Sequence, residues 1–201
     1  MRMIVEGDNW GRGTLFMSNH RFPVRLWPAL VEFDRAFDKT YFICDAPFSI
    51  FLTKLGLKTL CTDTSKYIHE KCSDAAKIKH TLITTLGIVT ARGVSVMSGG
   101  EIVDSASNLL EMNHNVFMFP STVTGCNSPW RSGVGRVASC VDPDKVGAGF
   151  VFIPKRMNRH TEVVLHPTFG SILPNVKNME ILNIVDQLQK QHQARFGIDR
   201  S

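Results

Sequence analysis

The chain has 201 residues, of which 43% are hydrophobic and 20% charged, so it can bury a full domain core without metals or disulfides. Its five cysteines are odd in number, widely spread and never in a Cys-x-x-Cys pair, which argues against a disulfide framework or a zinc site. The net charge of +5 favours anionic partners, among them nucleic acid and anionic lipid headgroups. We therefore expect one domain over residues 1–201, with reduced thiols.

No apolar run approaches the roughly 18 residues that a membrane-spanning helix needs, and residues 1–6 lack the apolar segment of a secretory signal. We therefore expect a cytoplasmic protein. The basic residues are spread along the chain, and the group Lys155, Arg156 and Arg159 is typical of a solvated face. Only the positive charge favours a nucleic-acid-binding domain, so nucleic acid is not an expected partner.

Short apolar runs alternate with stretches of helical period, which predicts a single α/β domain with a mostly parallel, buried sheet flanked by helices. The strands are predicted at 14–17, 40–44, 59–61, 93–97, 116–119, 149–153 and 162–165. The helices are predicted at 24–37, 47–55, 65–85, 101–112, 131–140 and 179–195. Glycines at 99–100 and 147–149 are interpreted as turns between elements.

The last predicted helix, about 179–195, is amphipathic. Its apolar residues form one stripe among glutamine, lysine and aspartate, and the stripe consists of Ile181, Leu182, Ile184, Val185 and Leu188. We expect this helix to dock on the rest of the domain.

A histidine, His20, follows the first buried strand at the point where the chain turns towards a helix. The tripeptide is Ser18-Asn19-His20, and such a position suits a general base because the scaffold fixes the ring and the turn exposes it. Arg25 stands five residues further on.

Four stretches, taken in order, resemble the glycerol-phosphate and lysophospholipid acyltransferase superfamily. They are residues 14–20 (TLFMSNH) with 26–30 (LWPAL), 41–48 (YFICDAPF) with 55–56, 115–120 (NVFMFP) with 130–138 (WRSGVGRVA), and 149–154 (GFVFIP). Together they span roughly residues 14–155. The resemblance implies an acyltransferase-like domain.

The resemblance also implies a reaction. A fatty acyl group would pass from a thioester donor, acyl coenzyme A or an acyl carrier protein, to the hydroxyl or amine of a lysophospholipid, a glycerol-phosphate or a similar small molecule. His20 would be the catalytic base; in the superfamily an Asp five residues after this histidine orients the ring, and Arg25 replaces it here. The acyl thioester would be a co-substrate, and no cofactor and no metal is expected. Such enzymes often work on the inner face of a membrane, so peripheral membrane contact is implied.

Substrate binding would fall to residues around the same motifs. The resemblance assigns it to Asn19, Arg25, Ser121, Thr122, Thr124 and Arg131. Asn19 would also set the loop that carries His20. The superfamily's Glu-Gly-Thr is replaced by Ser121-Thr122-Val123, which leaves a hydroxyl-rich loop whose O–H groups suit a phosphate or carbonyl oxygen.

Two explanations of the missing carboxylates remain open. In the first, His20 is oriented by Asp45 or Asp63 while Arg25 binds an anionic group of the substrate. In the second, the fold is kept and the chemistry is lost, because a cation near His20 disfavours the imidazolium. The chain would then be a binding module for a lipid, an acyl carrier or a protein.

Overall fold

The structure of the chain is a computed structural model that describes residues 3–8, 11–19, 23–62, 96–121, 129–154 and 160–197; the side chains at 23–26 and 46–47 lie outside this description. Its strands are β1 (Met3–Glu6), β2 (Thr14–Ser18), β3 (Thr40–Asp45), β4 (Lys58–Thr62), β5 (Val96–Met97), β6 (Asn115–Met118), β7 (Gly147–Phe152) and β8 (Thr161–His166). Its helices are α1 (Pro23–Ala36), α2 (Ala46–Lys54), α3 (Gly99–Glu111), α4 (Ser132–Cys140), α5 (Phe169–Ile172) and α6 (Ile181–Phe196), with a 3-10 turn at Val176–Asn178.

The described strands form one eight-stranded sheet in the order β1-β8-β7-β2-β6-β3-β4-β5. Every neighbouring pair is parallel except β7 and β8. The predicted α/β class with a mostly parallel sheet is therefore confirmed. The predicted helix at 65–85 lies outside the described residues.

Each face of the sheet is covered by its own helices. On one face α1 and α2 pack on an aromatic cluster in which the Phe33 ring lies 4.7 Å from both Phe16 and Phe117. On the other face α3, α4, α5 and α6 pack on aliphatic side chains such as Leu15 and Val116. The domain therefore has three layers, with the sheet between two layers of helices, as is usual for parallel sheets.

The glycines at 147–149 do not form the predicted turn. Gly147 and Gly149 are part of β7, in register with Thr14 and Phe16 of β2. A Cβ atom on Gly149 would overlap the Phe16 ring. Glycine occupies this strand because the aromatic cluster lies directly against its backbone.

Helix α6 docks on the domain as expected, but its buried stripe differs from the predicted one. Ile184, Val185, Leu188 and His192 are buried, whereas Leu182 is 72% exposed. The stripe follows the helical period from Ile184 towards the C-terminus, and Leu182 falls on the opposite side. The α6 backbone also comes close to Gly135 of α4, because a Cβ on Gly135 would lie only 2.8 Å from the Ile181 oxygen.

We predict that Gly135→Ala lowers the free energy of unfolding by about 1–3 kcal/mol, since the added methyl overpacks the contact between α4 and α6. The matched control is Gly133→Ala in the same helix, where a Cβ would meet only Met118 Cε at 4.0 Å. The control should be neutral or stabilising by up to about 1 kcal/mol, because alanine is the better helix former. Urea unfolding of both variants measures the difference, and equal effects would contradict the close approach.

The buried ring of His192 makes the free energy of unfolding depend on pH. Its ring is 1% exposed, its Nε2 lies 3.0 Å from the Val151 carbonyl oxygen, and burial lowers its pKa to about 4. In the unfolded chain the pKa is about 6.5, so below that pH the unfolded state binds a proton that the folded state does not. The free energy of unfolding should therefore fall by about 2 kcal/mol between pH 7 and pH 5.

The variant His192→Gln should lose most of this pH dependence, and His160→Gln, which removes an exposed histidine, should keep it. Burial also lowers the pKa of His166, with a further contribution from Arg195, so a smaller residual slope of the same sign should remain. The test is urea unfolding at both pH values. A slope unchanged by His192→Gln would contradict this assignment.

Candidate functional site at the carboxyl edge of the sheet

The chain leaves the two central strands, β2 and β6, in opposite directions. From β2 it passes through α1 on one face to β3, and from β6 it passes through α4 on the other face to β7. Helices that diverge in this way leave a crevice outside the carboxyl ends of the two strands, which is where open α/β sheets bind ligands. The fold therefore points to the edge where β2 and β6 end.

The exit from β2 is fixed by the side-chain amide of Asn19. Its Oδ1 accepts the N–H of Ile153 at 2.8 Å, and its Nδ2 donates to the Ile153 carbonyl oxygen at 2.9 Å. Asn19 is only 2% exposed, so these bonds form away from water. The amide thus joins the end of β2 to the end of β7 immediately before His20.

The exit from β6 is closed by two backbone hydrogen bonds at the start of α4. The Arg131 N–H donates to the Pro120 carbonyl oxygen at 2.9 Å, and the Trp130 N–H donates to Gln189 Oε1 of α6 at 3.0 Å. Ser121 is buried beside this closure. The chain on both sides of residues 122–128 is therefore held at the carboxyl edge.

Helix α4 begins at this edge without a side-chain cap. Its N-cap residue is the exposed Arg131, whose side chain makes no capping hydrogen bond, whereas Asp45 caps α2 and Ser98 caps α3. The first N–H groups of a helix have no partner within it and carry a partial positive charge. Together with the Arg131 side chain, this end of α4 suits an anionic group.

The structure places some of the predicted site residues and leaves others undescribed. The structure brings Asn19, Ser121 and Arg131 to the same edge, at the ends of adjacent strands and the start of α4. Three predicted residues lie outside the described part of the chain: His20, Thr122 and Thr124. The backbone of Arg25 lies in the first turn of α1, and its side chain is not described.

Asp45, one of the two carboxylates considered as a partner for His20, has a structural role. Its Oδ1 accepts the Phe48 N–H at 3.2 Å as the cap of α2. It also ends β3, which lies two strands from β2, roughly 10 Å away in the sheet. The other carboxylate, Asp63, lies outside the described residues.

Sequence reasoning missed a pair of thiols next to this edge. Cys44 and Cys61 are register partners on β3 and β4, and both are buried. Burial raises the pKa of Cys44 well above its usual value, and the Asp45 carboxylate raises it further. Cys44 is therefore a protonated thiol and not a nucleophile. Only the strand pairing brings these two cysteines together.

Two open cavities lie away from the carboxyl edge. One, of about 430 Å³, lies between the 3-10 turn and the start of α6. The other, of about 470 Å³, lies at the opposite edge of the sheet, where both acidic and basic side chains line it, namely Asp8, Arg12, Asp38 and Lys39. Helices α1 and α3 end near this second cavity, and helix C-termini disfavour anions. The carboxyl edge is therefore the better site for an anionic ligand.

Among the described residues no cluster of three or more histidine, cysteine, aspartate or glutamate side chains is placed to hold a metal ion. Within the same part of the chain no helix has the length and apolar character needed to cross a bilayer. Comparison of the chain with protein-family models, with curated proteins and with solved structures finds no match. The structure defines a single-domain α/β protein with a mostly parallel eight-stranded sheet, in which the connections that leave the two central strands, β2 and β6, diverge.

We predict that Asn19→Ala lowers the free energy of unfolding by about 3 kcal/mol, because the buried N–H and C=O of Ile153 each lose a partner at about 1–3 kcal/mol. Asn19→Asp should be at least as damaging, since it sets a carboxylate oxygen against the Ile153 carbonyl. Asn183→Ala, an exposed asparagine on α6, is the control and should change stability by less than about 0.5 kcal/mol. Urea unfolding measures the stability of these variants. An Asn19→Ala variant as stable as the control would contradict the structural role of the two hydrogen bonds to Ile153.

Proposed function

We propose that this chain is an acyltransferase that moves a fatty acyl group from acyl coenzyme A or an acyl carrier protein to a hydroxyl or amine acceptor. The acceptor is a lysophospholipid, a glycerol-phosphate or a similar small molecule. The observation that carries the proposal is the placement of the four acyltransferase-like stretches. They occupy four consecutive parallel strands, β7, β2, β6 and β3, whose carboxyl ends share one edge of the sheet.

This placement is what a single active site needs. Stretches that are far apart in sequence, namely those that contain Asn19, Pro120 and Ile153, leave the sheet side by side where the helical connections diverge. A parallel sheet aligns the carboxyl ends of its neighbouring strands, so residues from all four stretches can contribute to one site. Asn19 directly follows β2, and its hydrogen bonds to Ile153 hold this strand exit in place.

In the proposed reaction His20 takes the proton of the acceptor hydroxyl as the oxygen attacks the thioester carbonyl carbon. The tetrahedral intermediate then collapses, the carbon–sulfur bond breaks, and the thiolate leaves and takes up the proton from the imidazolium. The two hydrogen bonds of Asn19 to Ile153 hold the exit of β2 at the residue before His20 in the chain. The N–H groups in the first turn of α4, together with Arg131, stabilise negative charge on a phosphate or on the developing oxyanion.

Because Arg25 replaces the orienting carboxylate, we expect a low turnover rate. A general base without its orienting carboxylate loses up to about four orders of magnitude in turnover, as the serine protease triad illustrates. Arg25, in the first turn of α1, instead binds an anionic group of the substrate. We therefore expect slow transfer and a preference for phosphorylated acceptors.

The second candidate function is a non-catalytic binding module for a lipid, an acyl carrier or a protein. Two observations favour it: the replacement of the orienting carboxylate by Arg25, and the use of Asp45 as a helix cap two strands from β2. A module of this kind would retain acyl ligands at the same edge without consuming a donor.

The test is release of free thiol from a panel of acyl coenzyme A and acyl carrier protein donors with mixed acceptors. We predict measurable turnover that falls at least a hundredfold in His20→Ala, since general-base catalysis contributes about 10²–10⁴-fold. His160→Ala, which removes an exposed histidine, is the matched control and should keep full turnover. Circular dichroism checks that both variants are folded.

Turnover that survives His20→Ala would contradict the assigned base. Absence of thiol release from every donor, with acyl chains retained by the purified protein, would support the binding module instead.

A further inference from the structure

Helix α6 is hydrogen-bonded both to the segment that leads into α4 and to β7. On one side Gln189 Oε1 accepts the Trp130 N–H at 3.0 Å, next to the start of α4. On the other side the His192 ring bonds to the Val151 carbonyl oxygen at 3.0 Å, in β7. The Phe196 ring also stacks on Phe152 with 5.4 Å between ring centroids. A helix far along the chain thus joins the two walls of the carboxyl-edge crevice.

The hydrogen bond that Gln189 accepts lies at the residue before the N-cap of α4. Trp130 and Arg131 are consecutive, and their N–H groups are taken by two different elements, Gln189 of α6 and Pro120 at the end of β6. The Trp130 ring is 8% exposed and meets the His192 ring edge-on at 5.3 Å. Helix α6 therefore fixes both the backbone and the side chain of the residue that precedes the N-cap of α4.

Two features separate this contact from ordinary helix docking. The apolar stripe of Ile184, Val185 and Leu188 already attaches α6 to the core, and Gly135 lets it approach α4 closely. Gln189 lies beside that stripe and is half-buried, and its amide oxygen is directed to the backbone of the crevice wall and not into the core.

We propose that Gln189 is a positioning residue of the carboxyl-edge site, which acts through Trp130 to hold the start of α4 against the end of β6. Its effect on turnover rests on the proposed acyltransferase function. Its effect on the order of Trp130 and Arg131 does not. The two effects can be measured separately.

The experiment compares three variants of α6. Gln189→Ala removes the acceptor, Gln189→Glu keeps an oxygen that accepts the Trp130 N–H, and Gln193→Ala is the matched control one turn further along α6. Amide hydrogen exchange followed by NMR reads the order of Trp130 and Arg131. Thiol release from acyl coenzyme A gives kcat and KM for the same proteins.

We expect Gln189→Ala to speed exchange at Trp130 at least tenfold while exchange in β7 at Val151 stays unchanged. Gln189→Glu should restore slow exchange, and Gln193→Ala should match the native chain. In the kinetic measurement Gln189→Ala should lower kcat at least tenfold with a donor KM within about twofold, and Gln189→Glu should recover most of kcat.

Unchanged exchange at Trp130 in Gln189→Ala, or failure of Gln189→Glu to restore it, would overturn the proposal. An equal loss of kcat in Gln193→Ala would also overturn it, because any weakening of α6 would then be sufficient. If the native chain releases no thiol, the proposed function fails, and the exchange measurement alone still decides the positioning role.

Discussion

The architecture of the site depends on the pair of hydrogen bonds between the Asn19 amide and the backbone of Ile153. β2 is the central strand around which the connections diverge, and its exit determines what faces the crevice. Because both bonds are buried, they hold with little competition from water and would be costly to leave unmade. The ends of β7 and β2 are therefore fixed relative to one another.

Much of the fold follows from local pattern. Buried strands such as Thr14–Ser18 and Thr40–Asp45 are continuous apolar runs, and the helices between them carry one apolar side, so element type and order were predictable. β1 was not, because Ile4 and Val5 are about half exposed on an edge strand and show no alternation. The helix Phe169–Ile172 has a single turn and leaves no periodic signal.

The site was predictable in part. Asn19 follows β2, Ser121 lies after β6, and Arg131 precedes α4, so their convergence at one edge follows from a parallel sheet. The bond of Asn19 to Ile153 and the bond of Gln189 to Trp130 join residues 134 and 59 positions apart, and no local pattern encodes them. Such long-range polar contacts depend on which strands become neighbours and on how α6 lies across them.

Photocrosslinking with a diazirine-bearing acyl coenzyme A tests most directly whether the shared carboxyl edge of β7, β2, β6 and β3 binds an acyl thioester. We predict adducts in peptides that contain residues 18–20 and 120–131, and competition by unlabelled acyl coenzyme A should remove them. Adducts confined to the opposite edge, around Asp38 and Lys39, or labelling that unlabelled ligand does not reduce, would contradict binding at this edge.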